Sequence, residues 1–133
     1  MSASATPSAP LIAPENREFW QAAAAGRLLL RYCLACARPH WYPRAICPRC
    51  FAAHTEWRPA SGSGLLYSYT VVNGVPPVIP AYVQLQEGVT LLSWLVHCDP
   101  AQVRIGMPVS ATFVNSAQGQ AVPVFQPAAD RHT

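Results

Sequence analysis

The residues best suited to chemistry are four cysteines in two pairs: Cys33-Leu34-Ala35-Cys36, ten intervening residues, then Cys47-Pro48-Arg49-Cys50. A Cys-x-x-Cys turn presents two sulfurs on one side of a tight loop, and two such loops face to face supply a tetrahedral thiolate set for Zn²⁺ at ~2.3 Å. The short separation brings the pairs together at little cost in loop entropy. Cys33, Cys36, Cys47 and Cys50 are therefore the expected metal ligands, and four protein thiolates leave no position for water, so the ion is expected to be structural. Iron suits the same tetrahedron and is the less expected ion. Two unrelated reduced pairs or a redox dithiol are the other readings, although a redox centre needs only one such motif. Knuckles of this kind ordinarily carry Gly after the second cysteine, where φ turns positive. Ala37 and Phe51 occupy those places here, so the turns are expected to form with some strain.

Other reactive types are poorly placed. His40 and His54 flank the cysteine pairs and could replace a thiolate, but the set is already complete. His97-Cys98-Asp99 puts a base, a nucleophile and an acid side by side. Neighbours on a strand point to opposite faces, so no catalytic residue is assigned, and Cys98 reads as a small buried hydrophobe. Ser61-Gly62-Ser63-Gly64 lacks the length, the lysine and the following helix of a phosphate loop, and reads as a joint between two units.

The elements that must position the thiolates follow from composition. The 133 residues are 51% hydrophobic and 11% charged, which excludes collagen-like, coiled-coil and wholly disordered chains. Fourteen prolines leave room for few helices, so the fold class is expected to be mainly β. Residues 1–14, rich in Ala, Ser and Pro, read as a mobile tail, and 15–26 as a short N-terminal helix with Pro14 at its start, Glu15 and Glu18 at its positive end and Gly26 as its stop. Phe19, Trp20 and Ala23 form one apolar stripe on it. That stripe docks either on its own domain or on a partner chain, and the three residues are candidates for the partner interface. Residues 27–60 form a ribbon too small for an adequate core, so metal binding supplies its folding free energy, ~10–16 kcal/mol in finger-sized peptides. Strands are expected at 27–32, 65–72, 81–86, 89–97, 108–114 and 121–125, and the proline-rich 75–80 is excluded from a central strand. Five strands within 61–127 point to a small barrel, followed by a frayed tail at 128–133.

In chain order, the Phe-Trp helix, Gly26-Arg27-Leu28, the two knuckles with Pro43-Arg44 between them, Gly62 and Gly64, Tyr67-Ser68-Tyr69-Thr70, Glu87-Gly88 and Arg104-Ile105-Gly106-Met107-Pro108-Val109 form one pattern. It resembles the zinc-ribbon plus OB-fold acyl-CoA-associated proteins, the family of the domain of unknown function thirty-five, over residues 15–127. The resemblance implies a rubredoxin-like zinc ribbon followed by a five-stranded OB-fold barrel. It also implies a non-catalytic accessory subunit beside thiolase-fold enzymes (thiolases, steroid side-chain aldolases, acyltransferases) or MaoC-like hydratases, contacting or handing on acyl-CoA or stabilising the catalytic chain.

Charge is distributed to match. Residues 27–58 hold six Arg against Glu56, whereas 59–130 hold Arg104 against Glu87, Asp99 and Asp130, and the chain has no Lys. Arg38, Arg44, Arg49 and Arg58, with Trp41, Tyr42, Phe51 and Trp57 interleaved, could take the phosphates and adenine of CoA, because the guanidinium fork matches phosphate and a flat ring stacks on a base; the four arginines, Trp41 and Tyr42 are the candidates. The plainer reading is a solvated ribbon surface. Single-stranded nucleic acid would suit the same residues, but the acidic barrel half interrupts the positive track it needs, so no nucleic-acid partner is expected. No apolar run approaches the ~20 residues of a membrane span. Five cysteines would suit a secreted disulfide scaffold, but the N-terminus reads as lacking an export signal, so the reducing cytoplasm is expected.

Overall fold

The computed structural model describes residues 16–40 and 46–128, together with Pro7, Pro10, Ile12 and Pro14. Helix α1 spans Arg17–Ala24, shorter than the 15–26 expected, because Asn16 and not Pro14 occupies its N-cap. It ends where Gly26 takes φ +78° and the amides of Gly26 and Arg27 turn back to the carbonyls of Ala23 and Ala22. This double bond pattern is the Schellman stop, and the missing Cβ of Gly26 makes it inexpensive.

Three strands build the ribbon: β1 Leu29–Cys33, β2 Arg38–His40 and β3 Thr55–Pro59, antiparallel in the order β2-β1-β3. Only β1 was expected from the sequence. Five more strands follow: β4 Ser63–Tyr69, β5 Ile79–Leu85, β6 Thr90–Leu95, β7 Pro108–Asn115 and β8 Ala121–Pro127. They close into a barrel in the order β4-β5-β6-β8-β7, with β6 and β8 joined in parallel through Leu95 and Phe125 and every other pair antiparallel. The expected five-stranded barrel is thus present.

The barrel strands alternate as a half-buried sheet should. In β5, Ile79, Ala81, Val83 and Leu85 point inward, and Tyr82 and Gln84 point outward. Gly64 has a steric reason to be glycine. A Cβ there would lie 2.6 Å from the Gln84 carbonyl oxygen, inside contact distance, so β4 and β5 approach only because the side chain is absent. Pro80 corrects the exclusion of 75–80 from a strand, since it lies within β5 opposite Trp94. Its carbonyl accepts from the Thr70 amide just past the end of β4, so the ring nitrogen faces a place where that ladder has stopped.

One core joins the parts. Phe19 of α1, Leu28 and Leu30 at the ribbon base, and Leu66, Val83, Leu95, Val109 and Phe125 of the barrel form a single buried cluster. Of the expected mobile tails, Pro7 is buried and its carbonyl accepts from the Ala117 amide, and Ala128 still donates to the Pro108 carbonyl. The other residues of 1–14, apart from Pro10, Ile12 and Pro14, lie outside the described residues, as do 129–133.

Candidate metal centre and arginine cleft

The first knuckle is the tight connection between β1 and β2, and the second lies on the segment leading to β3. Their sulfurs converge: Cys33 Sγ is 3.6 Å from Cys50 Sγ, Cys36 Sγ is 3.8 Å from Cys47 Sγ, and all four lie within 4.8 Å of one another. A tetrahedron with metal–sulfur bonds of ~2.3 Å has sulfurs ~3.8 Å apart, so the two closest pairs already have the spacing an ion needs and the wider pairs have only to draw in. Backbone amides support it, with Cys36 N–H directed at Cys33 Sγ (3.3 Å) and Arg49 N–H at Cys47 Sγ (3.4 Å). Cys33 and Cys47 are fully buried and Cys50 is exposed, so the ion would sit at the edge of the ribbon.

The thiols have unequal affinities for their protons. Amide N–H bonds, first from Cys50 and also from Arg49, bring Cys47 down to about 6 against the opposing effect of burial. Sharing a proton with Cys50, then burial, pushes Cys36 up to about 12. The Cys47 sulfur is therefore ready to bind a cation near neutral pH, whereas Cys36 releases its proton only as the ion binds.

Ala37 and Phe51 both adopt positive φ, +58° and +62°. The sequence expectation of strained turns is met, since non-glycine residues in this region cost about 1–2 kcal/mol each.

The arginines separate into two groups. Arg38 and Arg49 line one cleft of ≈ 560 Å³ between ribbon and barrel, shared with His40, with Glu87 and Gly88 of the β5–β6 connection and with Thr90 at the start of β6. Arg49 also donates to the Pro39 carbonyl at 2.9 Å. Arg58 lines a smaller hollow that adjoins this cleft through Pro39 and Glu87, with its guanidinium over the Tyr32 ring at 3.6 Å and paired to Glu56, which raises its pKa. Trp41, Tyr42 and Arg44 lie outside the described residues.

Sequence reasoning missed Glu87 as a cleft residue. Its carboxylate accepts from the Ser61 amide at 2.7 Å, fastening the barrel hairpin to the joint after the ribbon. The Glu87-Gly88 pair marked a turn, but nothing local revealed that the turn faces the arginines. Of the two ways the helix stripe could dock, Phe19 and Ala23 take the one within this chain, where both are buried and so do not serve as partner-interface residues, and Trp20 is half-buried. The helix stripe spends itself on β8 and β1, because a narrow apolar face on so short a helix is covered by the nearest sheet. His40 is a buried side chain of β2 and not part of the sulfur set. Asp99 caps the turn at Pro100–Gln102 by accepting from the Ala101 amide, while the Cys98 thiol is directed at the Asp99 carbonyl, so that trio forms no relay.

Family models match in two adjoining blocks: the ChsH2 rubredoxin-like zinc ribbon domain over residues 20–56 and the ChsH2 C-terminal OB-fold domain over 57–114. A DUF35 domain-containing scaffold protein of Methanocaldococcus jannaschii is 36% identical over 98 residues, covering 62% of this chain and 69% of that protein. A protein of Thermomonospora curvata named "Probable enoyl-CoA hydratase alpha subunit" is 34% identical over 125 residues, 90% of this chain, and the chain spans only 39% of its length. Among solved structures, a chain of the Ltp2-ChsH2(DUF35) aldolase superposes with TM-score 0.82 at 33% identity, covering 91% of this chain and 100% of that one. A DUF35 protein from Sulfolobus solfataricus shares the fold at 18% identity and TM-score 0.63, with 86% of each chain covered. The thiolate tetrad on a three-stranded ribbon, the closed five-stranded barrel behind it and these likenesses across both halves establish that the chain belongs to the DUF35 family, as a zinc-ribbon and OB-fold protein of the ChsH2 type.

Proposed function

We propose that the chain is a non-catalytic accessory subunit of an acyl-CoA-processing complex, bound to a thiolase-fold or MaoC-like enzyme that it stabilises and supplies with acyl-CoA. The observation that carries this reading is the likeness, over the full length of the other chain, to a component of an aldolase whose name joins two proteins. Relatives named as scaffold proteins and as a hydratase alpha subunit support it. The ion is zinc, which four thiolates at this spacing hold without redox chemistry. Its role is to hold the ribbon in shape. Four free knuckle thiols suit a reducing compartment, the cytoplasm, and no helix among the described residues is long and apolar enough to cross a membrane.

Arg38 and Arg49 receive phosphates of CoA in the cleft they share. Two guanidiniums outweigh the one carboxylate of Glu87, and their forks suit phosphate oxygens. The helix stripe contributes to partner contact only through the accessible edge of Trp20. Copurification tests the whole reading. The full chain, tagged and purified from cells expressing the genes encoded beside its own, is expected to retain an acyl-CoA enzyme in fixed proportion and to turn over no acyl-CoA alone. Efficient turnover by the isolated chain would sink the proposal. For the cleft, R38A and R49A are each expected to weaken CoA binding to the complex about tenfold, the loss of one charge-assisted contact; unchanged affinity in both removes CoA from this site.

A further inference from the structure

The metal knuckles carry an apolar tip that the chain itself does not use. Leu34 follows the first ligand, Ile46 precedes the third and Phe51 follows the fourth, and these side chains are 50%, 53% and 77% exposed. The fold brings their backbones near one another, because the adjoining ligand sulfurs lie within 4.8 Å of one another and the Leu34 amide donates to the His54 carbonyl at 2.8 Å, tying the first knuckle to the segment just after Phe51. Phe51 is the most telling of the three. It holds φ +62°, where glycine would be relaxed, and gains little packing in return. A bulky residue kept in a strained turn and presented to solvent is a cost to this chain alone, and such outliers gather at binding sites.

The surroundings indicate what covers it. Among the described residues the ribbon's ion pair joins Arg58 to Glu56, so Arg38 and Arg49, near the same knuckles, form no ion pair and face only Glu87 across their cleft. Three side chains offer far less than the ~800 Å² per partner that a standard interface buries, which argues against a second copy meeting tip to tip and for a projection that completes a larger contact. We infer that the tip is a docking knob, with Phe51 entering an apolar socket rimmed by carboxylates on the enzyme subunit of the complex. This rests on the accessory-subunit reading and adds to it the surface by which the subunit binds. Docking there would also bring the Arg38–Arg49 cleft against the enzyme.

The test uses the enzyme recovered with the full chain, separated and titrated with the metal-loaded wild type, F51G and Y82S. Tyr82 is an exposed aromatic on the outer face of the barrel, cross-strand from exposed Leu92, and serves as the competing surface. F51G is expected to raise the Kd at least tenfold, an aromatic anchor's effect, while its Tm and metal content stay the same or rise. This pairing separates docking from structure, since a merely structural Phe51 would lower Tm. Salt is expected to weaken wild-type binding, and a salt-independent Kd removes the carboxylate rim. The inference is overturned if F51G binds like the wild type, if only Y82S weakens binding, or if sedimentation shows a dimer of the chain that F51G dissolves. If wild type retains no acyl-CoA enzyme, the accessory reading itself fails and takes this one with it.

Discussion

Stripping the metal should melt one end of the molecule and spare the other. The buried leucines of the ribbon are Leu28 and Leu30, worth about 2 kcal/mol each. Thiolate–zinc binding supplies on the order of 10–16 kcal/mol in comparable peptides, several times that amount. The barrel has its own interior, from Leu66 through Phe125, and a closed ring of strands. Chelation, or substitution of fully buried Cys47 by Ser, is therefore expected to abolish amide protection in β1–β3. Protection should persist in β5, β7 and β8. Hydrogen exchange read by mass spectrometry resolves these segments, and the expected loss in the ribbon is at least ~10³-fold, the exchange equivalent of about 4 kcal/mol. The reasoning is refuted if the ribbon keeps its protection without metal, or if ribbon and barrel lose theirs together in one step.

Three further outcomes follow. Replacing Ala37 by Gly relieves a positive φ and should raise stability by about 1 kcal/mol, a Tm gain of a few degrees in the metal-loaded protein by calorimetry; a fall would mean that the turn is not strained. Gly64→Val drives a side chain into the Gln84 carbonyl and should cost about 3 kcal/mol or prevent folding, whereas Gly119→Ala, with open space around it, should cost less, both measured by urea unfolding. Burial, with Asp99 adding to it, pushes the Cys98 thiol above its ordinary value. Since the thiolate is the reactive form, Cys98 in the metal-loaded protein should alkylate slowly near neutral pH and faster as pH rises beyond 9; rapid labelling at pH 7 would contradict this.

The sequence was legible where spacing alone carries the information. The meeting of the Cys33, Cys36, Cys47 and Cys50 sulfurs was legible because two Cys-x-x-Cys turns a short way apart suit a tetrahedral thiolate set, and the barrel strands because alternation and turn residues are local signals. What escaped depended on distance in space. β2 has three residues, too few to show a period, and it exists because β1 offers it an edge. β3 carries Thr55 and Trp57, a usable β signal, but its pairing with β1 spans the whole knuckle region. The meeting of Arg38 and Arg49 with Glu87 is likewise long-range. The fate of Phe19 and Ala23 could not be read from α1 at all, since an apolar stripe states that it will be covered and not by what.

The barrel's parallel seam has a consequence for how the molecule is made. β6 and β8 meet through a single residue pair, and an apolar hollow beside that pair is floored by Leu91, Trp94, Val122 and Val124 and roofed by Phe19 and Trp20. The Gln120 side chain ties down the Trp20 carbonyl from a hundred residues away. Helix α1 thus covers a seam whose second strand lies about a hundred residues further along the chain, and its greasy side stays uncovered until β8 has been made. Removing α1 would accordingly unseal the seam between β6 and β8.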